Sequence, residues 1–202
     1  MIPRRESRCT RIQGPMFGWK LVLSMLAAFL LAGRSVRVAM RREPGVVRNG
    51  PWEIHLGNSK SKVNMYARAY FSKNAPFALA APEAIYFYAE TDSLGNPLRA
   101  DKTYRIEGRD QEAQWWNLTV YNNSRVIPNP LNRYSFAKDR ISRREDGSWK
   151  IFLSPREQPE NWLPSGNSGG ALRLVLRCYV PDPKLLGNPS GAVLPKIILD
   201  YQ

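Results

Sequence analysis

Hydrophobic positions follow two different patterns along this chain, and the change falls near residue 45. Before it, Leu21 to Gly33 (LVLSMLAAFLLAG) runs without a charge and without a polar face. Such a run suits lipid or a protein-conducting pore better than the surface of a domain. The uncharged core is shorter than the roughly 20 residues that cross a bilayer. Widened to residues 17–40 it reaches that length, with Lys20, Arg34 and Arg37 placed to snorkel toward headgroups. We read it as an uncleaved signal anchor, because no small-x-small cleavage pattern follows it. Arg34 also stands after Leu-Ala-Gly, where a lipoprotein signal needs Cys. Met16 offers a start that would leave the usual short positive lead. Residues 41–49, with Pro44 and Gly45, read as a linker.

From Pro51 the period changes. Met65 to Ser72 has the spacing of one or two amphipathic helical turns, with Tyr66, Ala69 and Tyr70 on one face. Beyond it the chain reads as strands between turn residues. Ala84–Ala89 is β-rich, and Ser93-Leu94-Gly95-Asn96-Pro97 is a turn. Thr103–Ile106 alternates and stops at Gly108. Trp115–Tyr121 puts Trp116, Leu118 and Val120 on one face, and Trp115, Asn117, Thr119 and Tyr121 on the other. Asp146-Gly147 signals a hairpin turn before Trp149–Leu153. Leu172–Val180 sets Leu172, Leu174, Leu176 and Cys178 against Arg173, Val175, Arg177 and Tyr179. This order predicts an all-β fold, an antiparallel β-sandwich or jelly-roll-like domain preceded by one N-terminal hydrophobic helix. The division is residues 1–48 for tail, anchor and linker, and 49–202 for a single domain.

Composition changes this picture in two places. The formal net charge of +13 suggests nucleic acid until it is located. More than half of the excess lies before residue 50, flanking the apolar run, where it concerns membrane placement. No nucleic-acid-binding motif accompanies the rest, so nucleic acid is not among the expected partners. His55 is the only histidine, and Cys9 and Cys178 lie on either side of the apolar run. Ser-His and Cys-His catalysis and most zinc sites are thereby excluded, and neither metal nor cofactor is expected. Cys178 reads as a buried, inert thiol.

Candidate chemistry is sparse. Gly166 to Gly170 precedes a strand and opens no helix, so it reads as a loop and not as a phosphate cradle. Glu83 and Glu90 fall on opposite faces of one strand and do not form a glycosidase pair. Glu83 is expected to be a buried acid satisfied by backbone or arginine donors. The stretch Val126 to Phe136 (VIPNPLNRYSF) is the most unusual. Its prolines and asparagines fix an irregular loop, which is either a binding edge or a covered crossover with Arg133 paired to Glu83. Trp162, in the expected loop Asn161-Trp162-Leu163-Pro164, is the tryptophan placed for exposure. The candidate ligand-binding set is therefore Glu83, Asn129, Asn132, Arg133, Tyr134, Asn161 and Trp162. No catalytic residue is assigned.

Several of these segments occur together in a known family. Asn49-Gly50-Pro51-Trp52, Glu83 to Phe87, Trp115 to Tyr121, Pro128 to Ser135, Asp146 to Trp149, Asn161 to Pro164 and Leu172 to Pro181 resemble, in this order, the bacterial domain-of-unknown-function 1214 family. The resemblance runs from about residue 49 to the C-terminus. It implies a β-sandwich in the short form of the family, carried behind a membrane segment. It also implies a bacterial envelope setting, and it brings no activity. The expectation is a single-pass protein of the cytoplasmic membrane with a periplasmic domain that binds a ligand, a saccharide or an envelope protein, and that is not an enzyme. The alternative is a hydrolase for a saccharide or small polar substrate, with Glu83 or Asp139 as acid or base.

Overall fold

The computed structural model describes residues 16–41, 46–55, 79, 82–122, 125–166 and 169–201. The chain divides into two units, Met1–Glu43 and Pro44–Gln202. The first contains helix α1 (Met16–Arg41), within which Gly18–Val38 is long and apolar enough to cross a membrane. Its apolar side chains are exposed in every direction, Phe29 to 83%.

The second unit is mostly β. One sheet has seven strands: β1 (Val46–Asn49), β2 (Trp52–His55), β3 (Ala84–Ala89), β5 (Ala113–Asn122), β6 (Arg125–Val126), β7 (Ser135–Ala137) and β10 (Leu172–Pro181). Their order is β1-β2-β3-β10-β5-β6, with β7 also against β5. The other sheet has β4 (Thr103–Gly108), β8 (Trp149–Ser154), β9 (Trp162–Pro164) and β11 (Lys196–Asp200), in the order β11-β4-β8-β9. A helical turn α2 (Pro183–Gly187) and a 3-10 turn at Pro189–Gly191 link β10 to β11. Pairing is antiparallel except for β8 with β9, which run parallel. The layout is that of a sandwich.

The strands with clean alternation form where the pattern places them. Residues 46–49, expected to be linker, instead make β1, because Gly50 adopts a positive φ of 60° and turns the chain back into β2. The helical turns expected at Met65 to Ser72 lie outside the described residues. Asp146-Gly147 does turn the chain, with Gly147 at φ 76°, between the bridged residues Arg143 and Trp149.

β10 explains the depth of the core. It pairs with β3 on one side and β5 on the other, so its inner residues Leu172, Leu174, Leu176 and Cys178 are buried. Burial pushes the Cys178 thiol up to about 12, which leaves it protonated and unreactive. Facing residues come from β4, β8, β9 and β11: Tyr104, Ile106, Ile151, Leu153, Leu163 and Ile197. Trp116 of β5 and Trp149 of β8 stack across the gap with ring centroids 5.1 Å apart and planes 30° from parallel. Trp149 fits because its partner in β4 is Gly108. A Cβ there would stand 2.8 Å from Trp149 Cζ2 and 3.1 Å from Pro195 Cγ.

Polar bonds fasten the edges of the sandwich. The Trp52 indole donates to the Pro195 carbonyl at 2.7 Å, and Asn49 Nδ2 donates to the Ala192 carbonyl at 2.7 Å. In the turn after β3, buried Asp92 accepts from the backbone N–H groups of Leu94 (2.9 Å) and Asn96 (2.8 Å), and from the Asn96 amide at 3.0 Å. Burial would raise its carboxyl, but these bonds outweigh burial and hold it below the usual carboxylate range.

Two stability measurements test this account. Gly108→Ala should lose about 1–3 kcal/mol in denaturant unfolding, as expected for overpacking against a fixed ring. An undisturbed midpoint would show that Trp149 can move aside. Asp92→Asn should be less stable than the parent near neutrality. A lowered folded value means the parent's advantage is present above the unfolded pKa of about 3.9 and is lost as pH falls through the folded value. The two unfolding curves should therefore converge in acid.

Candidate functional site

The irregular stretch after β6 is held by its own asparagines. Asn129 Oδ1 accepts from Arg133 N at 3.0 Å, while its amide donates to the carbonyls of Ile127 (3.0 Å) and Arg133 (2.9 Å). Asn132 turns the chain at a positive φ of 48°, a region asparagine tolerates. Its side chain accepts from the Tyr134 hydroxyl at 3.1 Å. The loop closes on itself and delivers Arg133 toward the other sheet.

Arg133 does not meet Glu83. Its Nη1 donates to the Trp162 carbonyl at 3.0 Å, and its guanidinium lies 5.5 Å from the centre of the Phe136 ring. Trp162, expected in an exposed loop, is half-buried in β9, and its indole donates to the Ser154 carbonyl at 3.0 Å. Asn161 is also occupied. Its Oδ1 accepts from Ser142 N at 2.9 Å and its amide donates to the carbonyls of Ser142 (2.8 Å) and Lys150 (2.9 Å). Asn129, Asn132, Arg133, Tyr134, Asn161 and Trp162 thus form one braced region that joins the β6–β7 loop to β9. It exposes Val126 and Leu131 at its surface.

Glu83 takes no part in that region. It is exposed in the turn before β3, where its carbonyl accepts from Val180 N at 2.9 Å. The expectation of a buried acid fails because the flanking Pro82-Glu83 turn lies outside the sheet's covered face. Val180 opposite it has a positive φ of 46°, a costly conformation for a β-branched residue. Asp139 accepts from the Trp115 indole at 3.0 Å, which holds its carboxyl below the usual range. A carboxyl held in that state is a poor proton donor near neutrality.

A second cluster, on the outer face of the seven-stranded sheet, escaped the sequence reading. Register aligns Arg177 of β10 with Tyr86 of β3 and Asn117 of β5, and aligns Val175 with Tyr88 and Thr119. Half-buried Arg177 donates to Thr119 Oγ1 (2.9 Å), to Asn117 Oδ1 (3.4 Å) and to the Tyr121 hydroxyl (2.7 Å). Its guanidinium carbon lies 5.7 Å from the centre of the Tyr121 ring. Trp115 and Tyr179 extend the aromatic face, their rings 5.3 Å apart. Burial raises the phenols of Tyr88 and Tyr179, with Arg177 pulling the other way, so both hydroxyls keep their protons near neutrality. The available signal was the run Arg173, Val175, Arg177, Tyr179 alternating with a core face. Strand alternation identifies such a face but does not say which strands flank it.

Among the described residues no group of histidine, cysteine, aspartate and glutamate could hold a metal ion. The sequence profile of the family described as protein of unknown function DUF1214 matches residues 83–183. The chain belongs to that family. The match covers the region from the turn before β3 to the start of α2, so it includes both clusters, and it is narrower than the resemblance from residue 49. Among solved structures the chain is similar to the VPA0106 protein from Vibrio parahaemolyticus, at 18% identity and a TM-score of 0.62. The similarity covers 96% of this chain and 47% of that one. A putative uncharacterized protein from Burkholderia cenocepacia matches at 15% identity and a TM-score of 0.40, over 96% of this chain and 44% of that one. The chain therefore spans about half the length of the solved structures it matches. No curated protein matches it. The likeness to VPA0106 concerns the fold alone.

The braced loop makes a direct prediction. Asn129→Ala removes the acceptor for Arg133 N and both amide donors, and should cost about 1–3 kcal/mol in thermal or chemical unfolding. A variant as stable as its parent would show that the loop holds its shape without this side chain. Val180→Asn should act in the opposite direction and raise the unfolding midpoint, because asparagine accepts a positive φ more readily than valine.

Proposed function

We propose that this protein is a membrane-anchored domain of the bacterial envelope that binds a ligand or a partner protein, with its β unit on the periplasmic side of the cytoplasmic membrane. The observation that carries the reading is α1. Leu21, Val22, Leu23, Met25, Leu26, Phe29, Leu30 and Leu31 are all exposed on it. A helix that is apolar all round has its stable place in lipid. Lys20, Arg34 and Arg37 lie toward its two ends, where long basic side chains reach headgroups. The binding part of the reading is supported by the β6–β7 loop, which spends its polar side chains on a fixed shape while exposing Val126 and Leu131. A preorganised loop loses little conformational entropy when it meets a partner.

The hydrolase alternative draws no support from the carboxylates. Glu83 and Asp139 occupy separate turns, before β3 and after β7, and Trp115 holds Asp139 ionised.

Membrane fractionation of cells producing the full chain tests the anchor. The protein should sediment with membranes and resist extraction at alkaline pH, whereas a chain lacking residues 17–40 should be released. Protease added to spheroplasts should digest the β unit. Release of the full chain by alkali would overturn the anchor, and protection in intact spheroplasts with digestion only after lysis would overturn the periplasmic orientation.

A further inference from the structure

Arg177 is a half-buried cation without a carboxylate partner among the described residues. A guanidinium withdrawn from water needs hydrogen bonds and, for full compensation, an opposite charge. Its partners among the described residues, Thr119, Asn117 and Tyr121, are all neutral. Among the described residues no carboxylate lies within ion-pair distance of it, although arginines around it are paired. Arg173, two residues earlier in β10, holds Glu90, and Arg48 at the sheet edge holds Glu53. The connection between β2 and β3 has no acid to offer either. Residues 56–81 contain Lys60, Lys62, Arg68 and Lys73 and neither Asp nor Glu.

The surroundings of Arg177 suit one kind of guest. The planar guanidinium fork matches an oxyanion, which takes two parallel N–H bonds. Tyrosines supply flat walls and hydroxyl donors: Tyr121 lies against the guanidinium, Tyr86 is aligned with Arg177 across β3, and Tyr179 continues the face to Trp115. A hydroxyl that stays protonated near neutrality, as burial keeps that of Tyr179, can donate to an anion instead of repelling it. The positions themselves are rigid, since they come from the three adjoining strands β3, β10 and β5.

We infer that the outer face of β3, β10 and β5 is a binding site for a small organic oxyanion, with Arg177 as the charged anchor and Tyr86, Tyr121 and Tyr179 forming the aromatic surround. This deepens the binding reading above and rests on it, naming the ligand's chemistry and a site away from the braced loop. The oxyanion is a carboxylate or a phosphate ester on a body flat enough to lie against tyrosine.

The test uses the full chain in a nonionic detergent, with benzoate, phenyl phosphate and inorganic phosphate as probes in thermal-shift and calorimetric titrations. Benzoate or phenyl phosphate should raise the unfolding midpoint of the parent, and whichever binds more tightly identifies the head group. Arg177→Gln should weaken that probe by about tenfold or more, while Arg133→Gln, at the other cluster, should bind it as the parent does. If Arg177→Gln does not fold by circular dichroism, Arg177→Lys takes its place. It keeps the charge but loses the fork, and the same weakening is expected. A parent that responds to none of the probes overturns the inference, as does binding that survives the substitution at Arg177. So does inorganic phosphate binding as tightly as phenyl phosphate, since the aromatic surround would then contribute nothing. Because anchoring is read separately by membrane fractionation, a chain that sediments with membranes but binds no probe loses this site and keeps its anchor.

Discussion

Two tryptophans facing one another across the gap between sheets set the geometry on which the rest of this domain depends. Trp116 and Trp149 come from different sheets and stack at 5.1 Å. Rings of this size dominate the contact energy of a small sandwich. They also fix the sheets in rotation, because a stacked pair tolerates little sliding. Everything near them is arranged to let them meet. Gly108 withdraws its side chain from Trp149, and Asp110 accepts from the Trp116 indole at 3.2 Å. Trp149 itself carries a buried indole nitrogen with no hydrogen-bond partner among the described residues. Leaving a buried donor unpaired has a cost, which the packing around this ring outweighs.

Given that fixed core, the two surface clusters differ in kind. The braced loop is polar but turned inward: its amides bond to backbone, and Arg133 ends on the Trp162 carbonyl. It works as a clasp between the sheets and offers apolar side chains outward. The Arg177 face is the reverse. It stands on three paired strands, which need no clasp, and its charge is held by neutral oxygens. The same residue type thus ends on a backbone carbonyl in one place and on side-chain oxygens of the neighbouring strand β5 in the other.

The sequence made parts of this legible for identifiable reasons. Ala84–Ala89 and Leu172–Pro181 carry enough alternating or apolar residues for their period to show, and the Asp92 turn carries its own chemistry. β6, β7 and β9 are only two or three residues long, too short for any period, so the region around Asn129 and Trp162 read as loop. β1 was hidden by Pro44 and Gly45 just before it. At the candidate site, the unusual texture of Val126 to Phe136 was visible, but the partner of Arg133 was not. Pairing an arginine with the nearest attractive acid follows charge. This arginine was matched instead to a carbonyl brought close by the parallel pair β8 and β9. Arg177 was placed on the correct face, yet its neighbours come from residues about 58 and 60 positions away, a separation that strand alternation does not encode.

The position of β10 has a consequence for how the chain reaches its final form. The strand that fills the middle of the larger sheet, between β3 and β5, begins only at Leu172, after most of the chain has been made. Until then β3 has only β2 beside it and β5 only β6 and β7, so the sheet closes late and through contacts distant in sequence, which is the slow kind of folding. The larger sheet therefore cannot be completed on a partial chain: until Leu172–Pro181 is present, β3 and β5 have no strand to join them.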